Sequence, residues 1–336
     1  MGEALSEELS KRRDHIIIVE TVSLSIINLA AFFGNFSVCY AVYRGQRLRT
    51  LANMFVVALA VSDIFMSSCC IPFSVVTLYL GRWTFGQRFC RFHGFAVFTF
   101  GLVSLHTMAV IAVSRYFCVV KPSKYIVLFK TRQAFLYIMS VWCSALLGSV
   151  VSFSFNNGGF QFQAGKAMCL YTFHTNIAYT AFIETVYVSF PLTIIGVCYF
   201  KVFHTVARTN QVFSQENDPS QLRAHVEEAK VTKTLATAMA GFAFCWIPVL
   251  AIDYIDTAHG EQTLSRRSYL TYGFLVYLSS TINPFIYGAT NKRFRREFKS
   301  IFVQLFCLKS LGCTTNSQEI PESEPRRARM AEDPSQ

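Results

Sequence analysis

Seven stretches of this chain carry almost no charge, and each is about long enough to cross a lipid bilayer. With only Asp, Glu, Lys and Arg counted as interruptions, they run over 21–43, 50–81, 92–114, 133–165, 167–200, 234–252 and 268–291. Asp63 breaks the second and Glu184 the fifth. A spanning helix needs about 20 apolar residues, and the fourth stretch has room for a span plus a loop. Helices buried in a large soluble core are the alternative. They fit poorly, because the stretches lack the apolar stripe that surface-facing helices show. The expected fold is therefore an all-α membrane protein, a seven-helix bundle. Composition agrees: 15% of the 336 residues are charged and 33 are Phe, where soluble domains carry about 25% charge. A disordered chain and a soluble two-domain enzyme are both excluded on that ground.

The formal net charge of +11 raises nucleic acid as a partner, but the placement of the charges argues otherwise. Lys and Arg gather on the cytoplasmic side of membrane proteins. With the N-terminus outside, and only the segments flanking the spans counted, the inner ones hold 17 of them and the outer ones 9. The expected organisation is a short extracellular N-terminus over 1–15, the bundle over 16–290, an amphipathic membrane-surface helix over 291–308 and a disordered cytoplasmic tail over 309–336. Residues 1–14 hold no apolar run, so the first span is expected to act as its own insertion signal.

Several residues do not belong in lipid. Asp63 sits mid-span, where an ionisable group is costly and faces the bundle interior. A structural polar knot is the bland reading. Asn35, Ser104, Ser279, Ser280 and Asn283 lie in other spans, and their oxygens with a carboxylate suit sodium or a proton. Arg115 ends the third span. It lies about three turns from Ser104 on one helix face, which favours an inward role over snorkelling. Pro72, Pro191, Pro248 and Pro284 lie inside spans and remove backbone donors. Pro248 follows Trp246 by two, so a large aromatic sits at a pivot. Cys90 and Cys169 fall on the outer, oxidising side. Cys307 and Cys313 follow a basic amphipathic segment and are candidates for palmitoylation.

In order along the chain stand Gly34-Asn35, Leu59-Ala60-Val61-Ser62-Asp63, Trp83-x-Phe85-Gly86 before Cys90, and Ser114-Arg115-Tyr116. Trp142, Phe190-Pro191 with Tyr199, Phe242-x-x-Cys245-Trp246-x-Pro248 and Asn283-Pro284-x-x-Tyr287 follow. This series resembles the rhodopsin-like family of G protein-coupled receptors over about 16–308. Each motif alone is weak, and eight in order are specific. The resemblance implies that a ligand entering from outside biases the bundle between two packings, and that an inner crevice then admits a heterotrimeric G protein, with arrestin as a further partner. It gives Trp246 and Phe242 the motion about Pro248, and Tyr199 and Tyr287 the holding of Arg115. It makes Asp63, Ser104 and Asn283 a sodium site and pairs Cys90 with Cys169 in a disulfide. The family's usual acid before the Arg is here Ser114, which leaves Glu228, at the inner end of the sixth helix, to restrain Arg115.

The resemblance also constrains the ligand. Light-sensing relatives hold retinal on a Lys seven residues before the Pro of the last span. That position is Tyr277 here, and 268–291 contains no Lys, so covalent retinal is not expected. Amine-binding relatives have an Asp eighteen residues before the Arg of the third span, where this chain has Val97. Glu184 and Asp253 each lie two turns outward on the faces of Pro191 and Trp246. They could receive a cationic or hydrogen-bonding ligand, or pair with Arg88, His93, Lys166, Arg266 or Arg267. Phe98, Gly101, Leu250, Phe274 and Tyr277 complete an apolar and aromatic pocket suited to a small ligand. Melatonin-like, opsin-like and amine-like branches are the nearest in character. No HExxH, GxSxG or Walker loop indicates an enzyme. A transporter would need an inverted repeat or a continuous charged path, and neither is seen. A ligand-free receptor-like scaffold remains the other reading.

Overall fold

The computed structural model describes residues 2–152, 159–172, 176–213 and 219–307, with the side chains of 209–231, 302 and 305–307 left aside. Helix α1 (Gly2–Ser10) precedes α2 (Asp14–Arg44), and α3 (Leu51–Cys69) and α4 (Ile71–Leu80) form one span broken at Cys70. Then come α5 (Gly86–Val120), a short α6 (Pro122–Leu128) and α7 (Thr131–Val151). Strands β1 (Phe160–Gln163) and β2 (Met168–Tyr171) pair as an antiparallel hairpin, with Phe160 opposite Tyr171 and Gln163 opposite Met168. The fifth span is α8 (Ile177–Phe182), a π-helical segment (Ile183–Ser189) and α9 (Phe190–Phe213). Helices α10 (Pro219–His259), α11 (Arg266–Thr290) and α12 (Lys292–Cys307) complete the order.

The bundle is apolar on its outside. On α2, Ile18, Val22, Ile26, Leu29, Phe33 and Phe36 recur every three or four residues and are all exposed, while Glu20 and Asn35 of the same helix are buried. Such a stripe is stable only against an apolar solvent. Among the described residues, six spans are long and apolar enough to cross a membrane by length and composition. The seventh, α11, is more polar because Ser279, Ser280, Thr281 and Asn283 are all buried along it. Helix α5 runs through the centre, packed on α3, α7, α9 and the hairpin.

The prolines explain two polar contacts between spans. Pro284 cannot donate to the carbonyl of Ser280, four residues back; Asn35 Nδ2 fills that acceptor at 2.9 Å. Pro191 likewise frees the carbonyl of Tyr187, and His106 of α5 bonds it at 3.0 Å. Buried backbone acceptors in lipid need such partners. Asn35 thus joins α2 to α11, and Gly34 lets the helices close: a Cβ at Gly34 would meet the Pro284 ring at 3.0 Å.

The hairpin and α1 cover one end of the bundle. A bond between Cys90 and Cys169 joins the start of α5 to β2, with Cα atoms 5.4 Å apart. The segment expected as a short N-terminal tail contains a packed helix, with Leu5 and Leu9 buried. Arg12 and Arg266 both pair with the buried Glu20, tying the chain start to α2 and α11. Burial lowers the Arg12 pKa below its ordinary value, and the hydrogen bond to Glu20 opposes this. At the far end, α12 packs against α11 and α2 through Phe294 and Phe298.

Candidate functional site

A cavity lies beneath the hairpin, between α5, the π-helical segment, α10 and α11. Its floor is Trp246, and its walls are Val97, Phe98, Gly101 and Leu102 of α5, Leu170 of β2, Glu184 and Val188, Val249 and Leu250, and Tyr272 and Val276. Gly101 is small for a reason: a Cβ there would stand 3.2 Å from the Trp246 ring. Trp246 stacks on Phe242 with ring centroids 5.7 Å apart, so the floor continues along α10 on the N-terminal side of the Pro248 pivot. The free space is only about 30 Å³, room for one or two waters.

One end of the cavity is ionic. Asp253 accepts from Tyr272 at 2.8 Å and from the Lys166 ammonium at 3.1 Å. That ammonium lies 3.8 Å from the centre of the Tyr272 ring, a favourable place for a cation. Glu184 is 2% exposed. Lys166 comes from the turn between β1 and β2, which points it down into the bundle.

Further in, Asp63 is fully buried. Its Oδ1 accepts from Ser104 at 3.1 Å and its Oδ2 from Asn283 Nδ2 at 3.1 Å; Ser62 in turn contacts Ser104 at 3.1 Å. The side-chain oxygen of Asn283 is buried with no donor among the described residues. A carboxylate, hydroxyls and an unused amide oxygen are the hard donors that a small cation takes, so these residues fit sodium. Among the described residues no group of three His, Cys, Asp or Glu could hold a transition metal.

At the α12 end, Arg115 is buried and lies near Tyr199. The hydroxyls of Ser114, Tyr199 and Tyr287 are all buried and unpartnered among the described residues. Tyr287 stacks on Phe294 of α12, and Lys201 stands 5.8 Å from the centre of the Tyr116 ring.

The family model described as "7 transmembrane receptor (rhodopsin family)" matches residues 34–287. The chain belongs to that family. The human histamine H2 receptor is 26% identical to this receptor over 94% of the chain and 89% of its own length. The melatonin receptor type 1A of Phodopus sungorus is 25% identical over 91% and 84%. In fold, the receptor resembles the crystal structure of squid rhodopsin with a TM-score of 0.75 at 22% identity, covering 92% of this chain and 93% of that one. The receptor is thus a multi-pass membrane protein of a non-enzymatic family.

Within the receptor, Val97, Phe98, Gly101, Glu184, Trp246, Leu250 and Asp253 meet around one cavity. Phe274 and Tyr277 do not line it. Tyr272 and Val276, four apart, hold the inward face of α11, so Phe274 lies half a turn away. Tyr277 turns toward α4, where its hydroxyl contacts Ser74 at 2.7 Å. Leu102, Val188 and Val249 escaped the sequence reading, although each lies one turn from a residue it did name. Tyr272 escaped it because the phase of α11 was taken from the retinal-bearing position. The side chains of Glu228 and Cys307, and all of Cys313, lie outside the described residues.

Proposed function

We propose that the receptor binds a small extracellular ligand in the cavity under the hairpin and converts that binding into activation of a heterotrimeric G protein at the α12 end. The observation that carries this reading is the direct stack of the cavity floor, Trp246, on Phe242. A ligand that moves Trp246 acts on α10 at its proline, and the helix below opens or closes the space beside Arg115. The ligand shifts the balance only by the difference between its affinities for the two packings. The relatives named above are receptors for histamine and melatonin, which supports a small ligand. The excess of Lys and Arg in the segments at the α12 end supports an N-terminus outside and a C-terminus inside. On that orientation the 291–308 segment lies on the inner leaflet, which suits palmitoylation of Cys307 and Cys313 beside it and binding of arrestin.

The test is a compound screen on cells expressing the full chain, with several G protein pathways read in parallel. A concentration-dependent response absent from untransfected cells is expected. Signalling that no compound changes would favour a receptor active without an external ligand, a reading that the nearly filled cavity makes concrete.

Asp63 supplies the second expected result. With agonist in hand, raising sodium lowers agonist affinity several-fold in the wild type and leaves Asp63→Ala unaffected. Radioligand competition at fixed ionic strength, with an organic cation replacing sodium, reads this directly. Equal sodium sensitivity in both proteins rejects the sodium site.

A further inference from the structure

We propose that the Lys166 ammonium holds a cation position against two residues of the cavity wall, Asp253 and Tyr272, and that the external ligand is a small organic cation that takes its place beside Asp253 and Glu184. The proposal rests on the receptor reading above and adds the ligand's chemical class and the group it displaces.

Lys166 is held as a ligand would be. It is 2% exposed, its ammonium is 3.1 Å from an Asp253 oxygen, and the Tyr272 ring faces it at 3.8 Å. A buried ammonium persists only with such partners. Asp253 has the converse need: a buried carboxylate is costly without a partner cation. Lys166 therefore leaves when another cation arrives, and a neutral molecule of equal size cannot release it.

Space points the same way. Sites for small molecules occupy about 300–1,000 Å³, and the free space here is about 30 Å³. A ligand cannot simply be added; part of the wall must withdraw. Helices supply most of the wall, whereas Lys166 stands on a turn.

The backbone of that turn packs on α11, where a Cβ at Gly273 would stand 2.8 Å from Lys166 O, so Lys166 withdraws by its side chain and not by movement of the turn. The turn is closed by bonds from Lys166 N to Gln163 O and from Ala167 N to Ala164 O, at 3.1 and 3.2 Å. Ala167 sits at φ +52°, a left-handed conformation uncommon for a residue with a Cβ. Cys169, two residues further on, is bonded to Cys90, which anchors the strand beside the turn.

Unmet acceptors set the ligand class. Two carboxyl groups, Glu184 and Asp253, face one ammonium. No hydrogen-bond donor among the described residues reaches Glu184, which lines the cavity at 2% exposure. A ligand with one cationic head and one further donor satisfies both acids; an anion satisfies neither.

The test uses purified full-chain receptor without G protein. Lys166→Ala removes three methylenes and the ammonium, the equivalent of n-propylammonium. Thermal unfolding is followed with n-propylammonium or with n-propanol. The expected result is that n-propylammonium raises the Tm of Lys166→Ala at concentrations at least tenfold below those acting on wild type. The alcohol has no such effect, and Lys166→Ala/Asp253→Asn loses the response. Equal effects of amine and alcohol, or a response that survives Asp253→Asn, overturn the proposal.

A second measurement needs no variant. Wild-type receptor is acetylated with an N-hydroxysuccinimide ester in rising tetramethylammonium, which cannot consume the reagent. Lys166 labelling should rise several-fold relative to the exposed Lys11; unchanged labelling up to the solubility limit of the salt overturns displacement. Because neither assay reads signalling, exchange that persists in a protein activating no G protein would count against the function above and not against this site.

Discussion

Replacing Cys90 or Cys169 with Ser is expected to remove most of the receptor from the cell surface. The bond closes a separation of 79 residues, and a loop of that length corresponds to about 4–5 kcal/mol of unfolded-chain entropy at 25 °C. Folded proteins are stable by about 5–15 kcal/mol, so the loss is a large part of the total. Both sulfurs are fully buried, and the bond anchors β2 two residues from the turn that carries Lys166. Removal therefore also frees the hairpin that covers the cavity. The double variant Cys90→Ser/Cys169→Ser should be no worse than either single variant, because the second substitution has no bond left to break. Surface immunostaining and thermal unfolding of the purified proteins measure this. Effects of the two substitutions that add would show that each Cys acts through its own packing, and recovery of both as free thiols by peptide mapping would reject the bond outright.

The second large effect concerns the α12 end. Arg115→Ala should abolish ligand-stimulated G protein activation at unchanged surface level. Ser114→Asp should lower ligand-free activation about fivefold. The structure places Ser114 next to a buried Arg115, with its own hydroxyl unpartnered among the described residues. A carboxylate there adds an ion pair that only the closed packing retains. A pair at this water boundary contributes about 1 kcal/mol, and about 1.4 kcal/mol changes an equilibrium tenfold. Glu228 is the other proposed restraint, so Glu228→Ala should raise basal activity by a similar factor. Nucleotide exchange on purified G protein, at matched receptor amounts, reads all three. If neither Ser114→Asp nor Glu228→Ala moves the basal level, the restraint account is wrong, and the receptor assignment stands independently of it.

The two ends of the molecule differ in how far the sequence revealed them. Spans were legible because the requirement is local: about 20 consecutive residues must satisfy lipid, and neighbours along the chain suffice to show it. The buried polar residues were legible for the same reason, since Asp63, Asn35 and Asn283 stand out against an apolar background wherever their partners are. Even the prolines carried information, although the need for Asn35 opposite Ser280 appears only once α2 and α11 are packed together. The π-helical segment is different. It shifts the phase of the fifth span around Glu184, and no local composition marks it.

The cavity was half legible. Residues on α5 and α10 could be placed by counting turns from Arg115 and Trp246, because both helices keep a regular phase over that distance. On α11 the count began from a position defined by another chemistry and landed on Tyr277, one residue beyond Val276. A single residue turns a helical side chain by about 100°, enough to leave the cavity. Lys166 was one of five cations offered for the two acids, and nothing in its own stretch singled it out. Its meeting with Asp253 joins residues 87 apart through a disulfide, a hairpin turn and the packing of three helices. The sequence by itself determined which segments lie in lipid and which side chains cannot face it, because solvation acts residue by residue. Only the tertiary structure decided that a loop lysine meets Asp253 at the cavity wall, because an ion pair depends on where two distant backbones are brought together.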